Sequence, residues 1–168
     1  MSFIAILMIM VSSAGIAFLI IHKDICHCRM LSDSINLVEF ISSRAIFSGQ
    51  PISEILRNIS FEDKTLQKRL SDNFSLEMLK GNTVPDAWKN AVLSSMGKQL
   101  HIYECDVIIH YGKDICNSNI DDIKRINSNV VSALTDFYNT AVENKNRKSK
   151  STAAIAISIG AMIVLMLA

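Results

Sequence analysis

The chain has 168 residues, with 17 basic and 16 acidic side chains and a hydrophobic content of 49%. A net charge of +1 leaves no broad basic face of the kind that binds nucleic acid. Between its apolar ends, the length allows one domain with a modest core and is too short for two.

The first predicted element is an apolar helix at the N-terminus. Phe3 to Ile21 is a run of 19 residues without a charge, and a helix of roughly 20 residues crosses the hydrocarbon layer of a bilayer. A cleaved signal peptide would start with basic residues, and none precedes this run. We therefore predict a transmembrane helix over residues 1–22.

The same helix is predicted to continue as an amphipathic helix to about Phe47. Ser48 to Pro51 then provides the residues that end it. Its apolar or small residues recur at steps of three and four: Cys28, Leu31, Ile35, Val38, Ser42 and Ala45.

Three shorter helices are predicted next. Pro51 opens a short one with an apolar stripe behind it, and a second runs from about Phe61 to Lys80, ended by Gly81-Asn82. Thr83 to Asp86 resembles a capping box at the start of the helix that contains Trp88. A further helix is predicted from about Lys98 to Cys116 by the periodicity of its apolar residues.

The last predicted helix begins with Ser118 as its cap, followed by Asp121 three residues later. Its apolar stripe reaches Ala141, and no breaker separates it from a second uncharged run, Ser151 to Ala168. This run has 18 residues, which is marginally long enough for a membrane span.

The predicted fold class is therefore all-α, a helical bundle flanked by an N-terminal and a C-terminal transmembrane helix. Domain boundaries follow from the apolar runs: spans over residues 1–22 and 151–168, and a helical domain over residues 23–150. Basic residues flank both spans on the side of the middle domain, which predicts that this domain is cytoplasmic. They are Lys23, Arg29, Lys145, Arg147, Lys148 and Lys150.

Two sets of cysteine and histidine residues are candidates for metal binding, because thiolates and imidazoles bind zinc. The first is His22, Cys26, His27 and Cys28; the second is His101, Cys105, His110 and Cys116. On a continuous helix, adjacent residues of the first set point about 100° apart. In the second set only His101 and Cys105 share a face, so interface or core positions are favoured over a metal site, and no cofactor is expected.

Other residues are candidates for contacts with proteins or between helices. Trp88 suits an interface anchor or, more commonly, a core position. The acidic pairs Glu62-Asp63 and Asp121-Asp122 are typical of the solvent-exposed first turn of a helix, and they would also suit contact with a basic surface of a partner. The candidates for partner contact are Glu62, Asp63, Trp88, Asp121 and Asp122. Small residues at helical spacing suit packing of the two spans against each other or against other subunits, including copies of this chain; the alternative is that composition alone scatters them. They are Ser13, Ala17, Ala156 and Gly160.

The ordered set of features resembles the stage III sporulation protein AB family of endospore-forming Firmicutes. The resemblance rests on the N-terminal span, the helix entering Pro51, the Gly81 stop, the Asp86-Ala87-Trp88 stretch, Tyr111-Gly112 and the basic run before the C-terminal span. It implies a soluble part similar to the cytoplasmic domain of the type II secretion F protein. It also implies a platform in the channel between mother cell and forespore, with the AA protein of that operon as its secretion-type ATPase.

Three classes of function are open on the sequence. A non-enzymatic membrane platform is favoured, because no phosphate-binding GxxxxGK[ST] and no GxSxG nucleophile turn is present. A membrane-anchored metal or redox protein would use the Cys/His sets. A small membrane enzyme has the least support from the residues.

Overall fold

The fold is all-α, as the sequence predicts. The computed structural model describes residues 2–49, 54–55, 66–116 and 118–167, and the side chains of most residues before Ile21 and after Lys148 lie outside that description. No strand occurs in the part described. Five helices can be delimited there: α1 Ser2–Ser48, α2 Leu66–Leu79, α3 Val84–Met96, α4 Ile102–Ile115 and α5 Ile120–Leu167.

The two long helices have the extents that the sequence predicts. Helix α1 ends at Ser48, one residue after the predicted end, and α5 runs to Leu167 without an interruption before its apolar part. Among the described residues, no helix combines the length and hydropathy that crossing a membrane requires. The predicted spans fall largely on residues whose side chains lie outside the description.

The chain divides into two compact units. One, here called the terminal unit, comprises Met1–Cys28 and Asn139–Ala168, and the other, the central unit, comprises Arg29–Tyr138. The boundaries of the central unit lie inside the predicted 23–150 domain, so the terminal unit includes Lys23 and the basic residues between Lys145 and Lys150, while Arg29 begins the central unit.

In the terminal unit, an ion pair joins the two long helices. The Lys148 Nζ lies 3.3 Å from the Asp24 Oδ1. Cys28, one turn further along α1, is buried, and this burial raises the pKa of its thiol, with the Lys145 ammonium opposing the shift. Because Asp24 is near Lys148 and Cys28 is near Lys145, the two helices run antiparallel here.

In the central unit, α1 contributes one face to the core. Of the five predicted stripe residues from Leu31 to Ala45, which belong to this unit, four are buried and only Ile35 is partly exposed. The stripe is wider than predicted, because Ser34, Leu37 and Ile41 are also fully or almost fully buried. Ser34 does not leave its hydroxyl unpaired, since it donates to the Met30 carbonyl at 2.8 Å.

Helices α2 and α3 form a hairpin held by polar side chains. The Glu77 carboxylate accepts hydrogen bonds from Lys80, from Asn90 at 2.8 Å and from Asn82 at 2.7 Å. The bond from Lys80, followed by the bond from Asn90, lowers the pKa of Glu77 below its ordinary value. Gly81 ends the hairpin's first helix with a φ of 83°, the left-handed conformation that glycine adopts without steric cost.

Of the two predicted helix caps, one is confirmed by the structure and the other is wrong. Thr83 is the N-cap of α3, and its hydroxyl accepts from the Asp86 N–H at 3.4 Å, which confirms the predicted cap. The predicted Ser118 cap of α5 is wrong. The Asp122 N–H donates to the Asn119 side chain at 2.9 Å, while the Ser118 hydroxyl donates back to the Asp114 carbonyl at 2.7 Å.

Helix α4 begins later than predicted, at Ile102 rather than about Lys98. The preceding residues close the end of α3 instead, with the Leu100 N–H donating to the Met96 carbonyl at 3.0 Å. His101 is extended and caps α4, and its N–H donates to the Glu104 carboxylate at 2.7 Å. In the sequence, this helix start is indicated by Glu104, an acidic residue three positions after His101.

Candidate partner surface

Trp88, one of the candidates for partner contact, lies in the core of the central unit. Only 2% of its surface is exposed, and its indole N–H donates to the Ile108 carbonyl of α4 at 2.9 Å. Of the two interpretations open on the sequence, the structure therefore shows the core position. Its ring stabilises the contact between α3 and α4 rather than facing a partner.

The Trp88 ring lies directly over Gly112. A Cβ atom built on Gly112 would overlap the Nε1, Cε2 and Cδ1 atoms of the indole. The ring can reach the Ile108 carbonyl because residue 112, one turn further along α4, has no side chain. This contact gives a physical reason for a tryptophan and a glycine at these two positions.

Tyr111 extends the same core to α1. Its side chain is 1% exposed, and the phenol donates to the Val38 carbonyl at 3.0 Å. Of the two stretches that carried the family resemblance, Ala87, Trp88, Tyr111 and Gly112 are buried, whereas Asp86 is exposed at the start of α3. Trp88 and Gly112 join α3 to α4, and Tyr111 joins α4 to α1.

The buried phenol predicts a loss of stability at high pH. Burial raises the pKa of Tyr111 above its ordinary value of about 10. The folded protein thus binds this proton more tightly than the unfolded chain does, so the stabilisation is complete below about pH 10 and is lost as the pH rises further. We expect the free energy of unfolding of the full chain in detergent to fall above about pH 10.

The matched variant is Tyr111→Phe, in which this titration is absent. Its unfolding should depend less on pH in the alkaline range, although it should be less stable by about 1 kcal/mol at neutral pH because one buried hydrogen bond is lost. Urea titrations followed by the fluorescence of Trp88, the single tryptophan, measure both effects. Equal alkaline slopes for the two proteins would contradict the assignment to Tyr111.

Asp121 and Asp122 occupy the first turn of α5. Asp121 is exposed, and Asp122 forms an ion pair with Arg125, 3.2 Å between Nη2 and Oδ1. Acidic groups at a helix N-terminus are favoured by the helix dipole, so this placement is sufficient for stability. Their exposure also leaves both carboxylates accessible to a basic surface of a partner.

The remaining sequence candidates cannot be placed in the same way. Glu62 and Asp63 lie outside the described residues, as do the side chains of Ser13, Ala17, Ala156 and Gly160. Helix packing through these small residues stays a prediction.

The two Cys/His sets do not assemble as sets. Neither places three of its own ligand atoms within 4.8 Å of one another in the described part of the chain. The contact within the first set joins the Cys26 Sγ to the His22 Nδ1 at 3.5 Å, as expected for residues four positions apart on a helix. All four cysteines are free thiols.

Sequence reasoning missed an apolar area on the α2–α3 hairpin. Leu76, Leu79 and Leu93 are 55%, 85% and 44% exposed. For Leu76 and Leu79 the signal was that the stripe formed by Leu66, Leu70 and Phe74 buries the opposite face of α2, so leucines of this helix outside that spacing face outwards.

These observations define the class of the molecule: a small all-α protein with two long terminal helices and a central unit built around a Trp88–Gly112 contact. The chain belongs to the stage III sporulation protein AB family (spore_III_AB), whose sequence model matches residues 2–168. This confirms the resemblance seen in the sequence and assigns the chain to a family of sporulation proteins. Comparisons with curated proteins and with solved structures find no match.

Proposed function

We propose that the protein is a non-enzymatic platform subunit of a secretion-like channel complex between the mother cell and the forespore. In this proposal residues 1–22 and 151–168 anchor it in the membrane around the forespore, and the central unit lies on the mother-cell side. The observation that carries the proposal is the family match over residues 2–168. The partner is a secretion-type ATPase, the AA protein of the stage III operon, together with other subunits of the complex.

Further support comes from the chemistry of the central unit. The two aromatic residues of the sequence motifs pack in the core, with Trp88 and Tyr111 at 2% and 1% exposure. A tightly packed helical unit can transmit or resist force, which is the task of a platform. ATP hydrolysis, in this proposal, is supplied by the partner.

The surface proposed to meet the ATPase includes Asp121 and Asp122. Asp121 is exposed, and the Asp122 carboxylate is partly so, with 44% of its side chain accessible. Exposed carboxylates favour encounter with a basic surface through long-range attraction, and the effect weakens at high salt. Glu62 and Asp63 remain candidates for the same contact on sequence grounds.

The test is co-purification of the tagged full chain with the AA protein from membranes solubilised in mild detergent. We expect recovery with the wild type and a loss of about tenfold or more with Asp121→Asn/Asp122→Asn, because charge attraction is removed. A matched control, Asp106→Asn/Asp136→Asn, removes two exposed carboxylates in the interiors of α4 and α5. It should retain the partner.

Two outcomes would count against the proposal. Absence of the ATPase from wild-type preparations would remove the platform role itself. If both double variants lost the ATPase to the same extent, the effect would come from the net charge of the protein, and Asp121 and Asp122 would not belong to the interface. Helicity measured by circular dichroism checks that each variant is folded.

One observation favours a second candidate, the membrane-anchored metal protein. The His22 and Cys26 side chains lie within reach of one soft metal ion, with 3.5 Å between Nδ1 and Sγ. Two ligands are fewer than a structural zinc site requires, so a platform is preferred. A stoichiometric zinc content in purified protein, lost in Cys26→Ala, would reverse this preference.

A further inference from the structure

A group of basic side chains surrounds the point where α1 and α5 meet in the terminal unit. We define this basic collar as Lys23, Lys145, Arg147 and Lys148. Lys148 contacts Asp24 of α1, and Lys145 acts on the Cys28 thiol through its charge. The Lys148 side chain is therefore directed towards α1, and the Lys145 charge is close enough to act there, while Lys23 and Arg147, which adjoin the ion pair along each helix, are exposed.

Most of the charge of the basic collar is not neutralised. Lys148 is paired with a carboxylate, but its ammonium is still 57% exposed. The Arg147 guanidinium donates to the Asn144 amide oxygen at 3.2 Å, an uncharged acceptor that leaves the positive charge uncompensated. In the described part of the chain, no carboxylate lies within 4.0 Å of Lys23, Lys145 or Arg147.

The position of the basic collar relative to the apolar segments is informative. Helices α1 and α5 are antiparallel, and Asp24 of α1 lies beside Lys148 of α5. A position three residues before Asp24 is therefore at the same height along the helix pair as a position three residues after Lys148. These positions are Ile21 and Ser151, where the two uncharged runs begin. The basic collar therefore lies immediately outside both apolar segments, at the level of lipid phosphates if these segments are inserted.

We propose that the basic collar binds the headgroups of anionic phospholipids. This inference rests on the proposed membrane function and deepens it by naming the lipid class. The planar guanidinium of Arg147 matches a phosphate by two parallel hydrogen bonds, and the Lys23 ammonium supplies a further charge. Lysine and arginine near a membrane surface each favour binding to anionic lipid.

The experiment is native mass spectrometry of the full chain released from neutral detergent with equimolar phosphatidylglycerol and phosphatidylcholine. We expect phosphatidylglycerol to be the more abundant bound lipid. Lys23→Gln/Arg147→Gln should lower the phosphatidylglycerol-bound fraction about tenfold, because two surface charges are removed. Both residues are exposed, so these variants should remain folded.

The matched control is Lys89→Gln/Lys124→Gln, which removes two exposed basic residues of the central unit. It should bind phosphatidylglycerol as the wild type does. Equal binding of both lipids by the wild type, or an equal loss in the two double variants, would overturn the proposal. Displacement of the lipid by excess inorganic phosphate would also overturn it, because the site would then recognise free phosphate.

The result is separable from the test of the platform role. Extraction of cell membranes with alkaline carbonate shows whether the chain is an integral membrane protein, independently of lipid preference. A chain that resists extraction and retains the ATPase but binds both lipids equally would remove only the lipid proposal. A chain released by carbonate would remove the membrane anchor on which both proposals rest.

Discussion

Gly112→Ala is expected to destabilise the central unit by about 3 kcal/mol or more, because the added methyl group overlaps the Trp88 ring. The ring has little freedom to move, since it is buried and its N–H is held by the Ile108 carbonyl at 2.9 Å. Urea titration of the full chain in detergent measures the loss. At a solvent-exposed position of a helix, the same substitution would be expected to raise the stability, because alanine has a higher helix propensity than glycine. A loss at Gly112 therefore reports the overlap with Trp88.

The control for this prediction is Gly81→Ala. Nothing lies within 4 Å of a Cβ at Gly81, but its φ of 83° is one that alanine adopts with strain. We expect a loss of about 1 kcal/mol from this backbone effect alone. Equal stabilities of the two alanine variants would show that the space above Gly112 is not filled by Trp88.

Trp88→Leu is the second variant with a large expected effect, about 3 kcal/mol, because it leaves a cavity and removes the hydrogen bond to Ile108. It also creates room above Gly112. In the double variant Trp88→Leu/Gly112→Ala, the alanine should cost less than it does alone, with a coupling of about 1–3 kcal/mol. Unfolding is followed by circular dichroism, since the fluorescent residue is removed.

The same variant separates the two roles weighed for Trp88 in the sequence. A core residue predicts lower stability, with recovery of the ATPase by the remaining folded protein. A partner anchor predicts unchanged stability and lost recovery. Strictly additive effects of the two substitutions, together with wild-type stability of Trp88→Leu, would contradict the core position.

Local features of the fold could be predicted from the sequence. The Thr83 cap, the Gly81 stop and the continuation of α1 to Ser48 each depend on residues within about one turn of one another, and short-range steric and hydrogen-bonding rules define them. The Ser118 cap failed for a local reason as well. Three successive polar residues, Asn117, Ser118 and Asn119, can each cap a helix, and the Ser118 hydroxyl is engaged with Asp114.

The candidate site was less accessible to sequence reasoning. Whether Trp88 is buried depends on Gly112 in another helix, which no periodicity within α3 reveals. Likewise, Lys148 was recognised only as a flanking charge, because its partner Asp24 is 124 positions away. Asp121 and Asp122 were placed correctly at a helix start, but what they contact depends on a second protein.

The hydrogen bond from Tyr111 to Val38 joins residues 73 positions apart, whereas that from Asn90 to Glu77 joins residues 13 positions apart. Closing the shorter loop costs less entropy, so the α2–α3 hairpin is expected to form before α1 docks on α4. The ribosome releases α1 first. The apolar stripe of α1 therefore has no α4 to cover it until synthesis has passed Tyr111, and the growing chain is most exposed to aggregation in that interval.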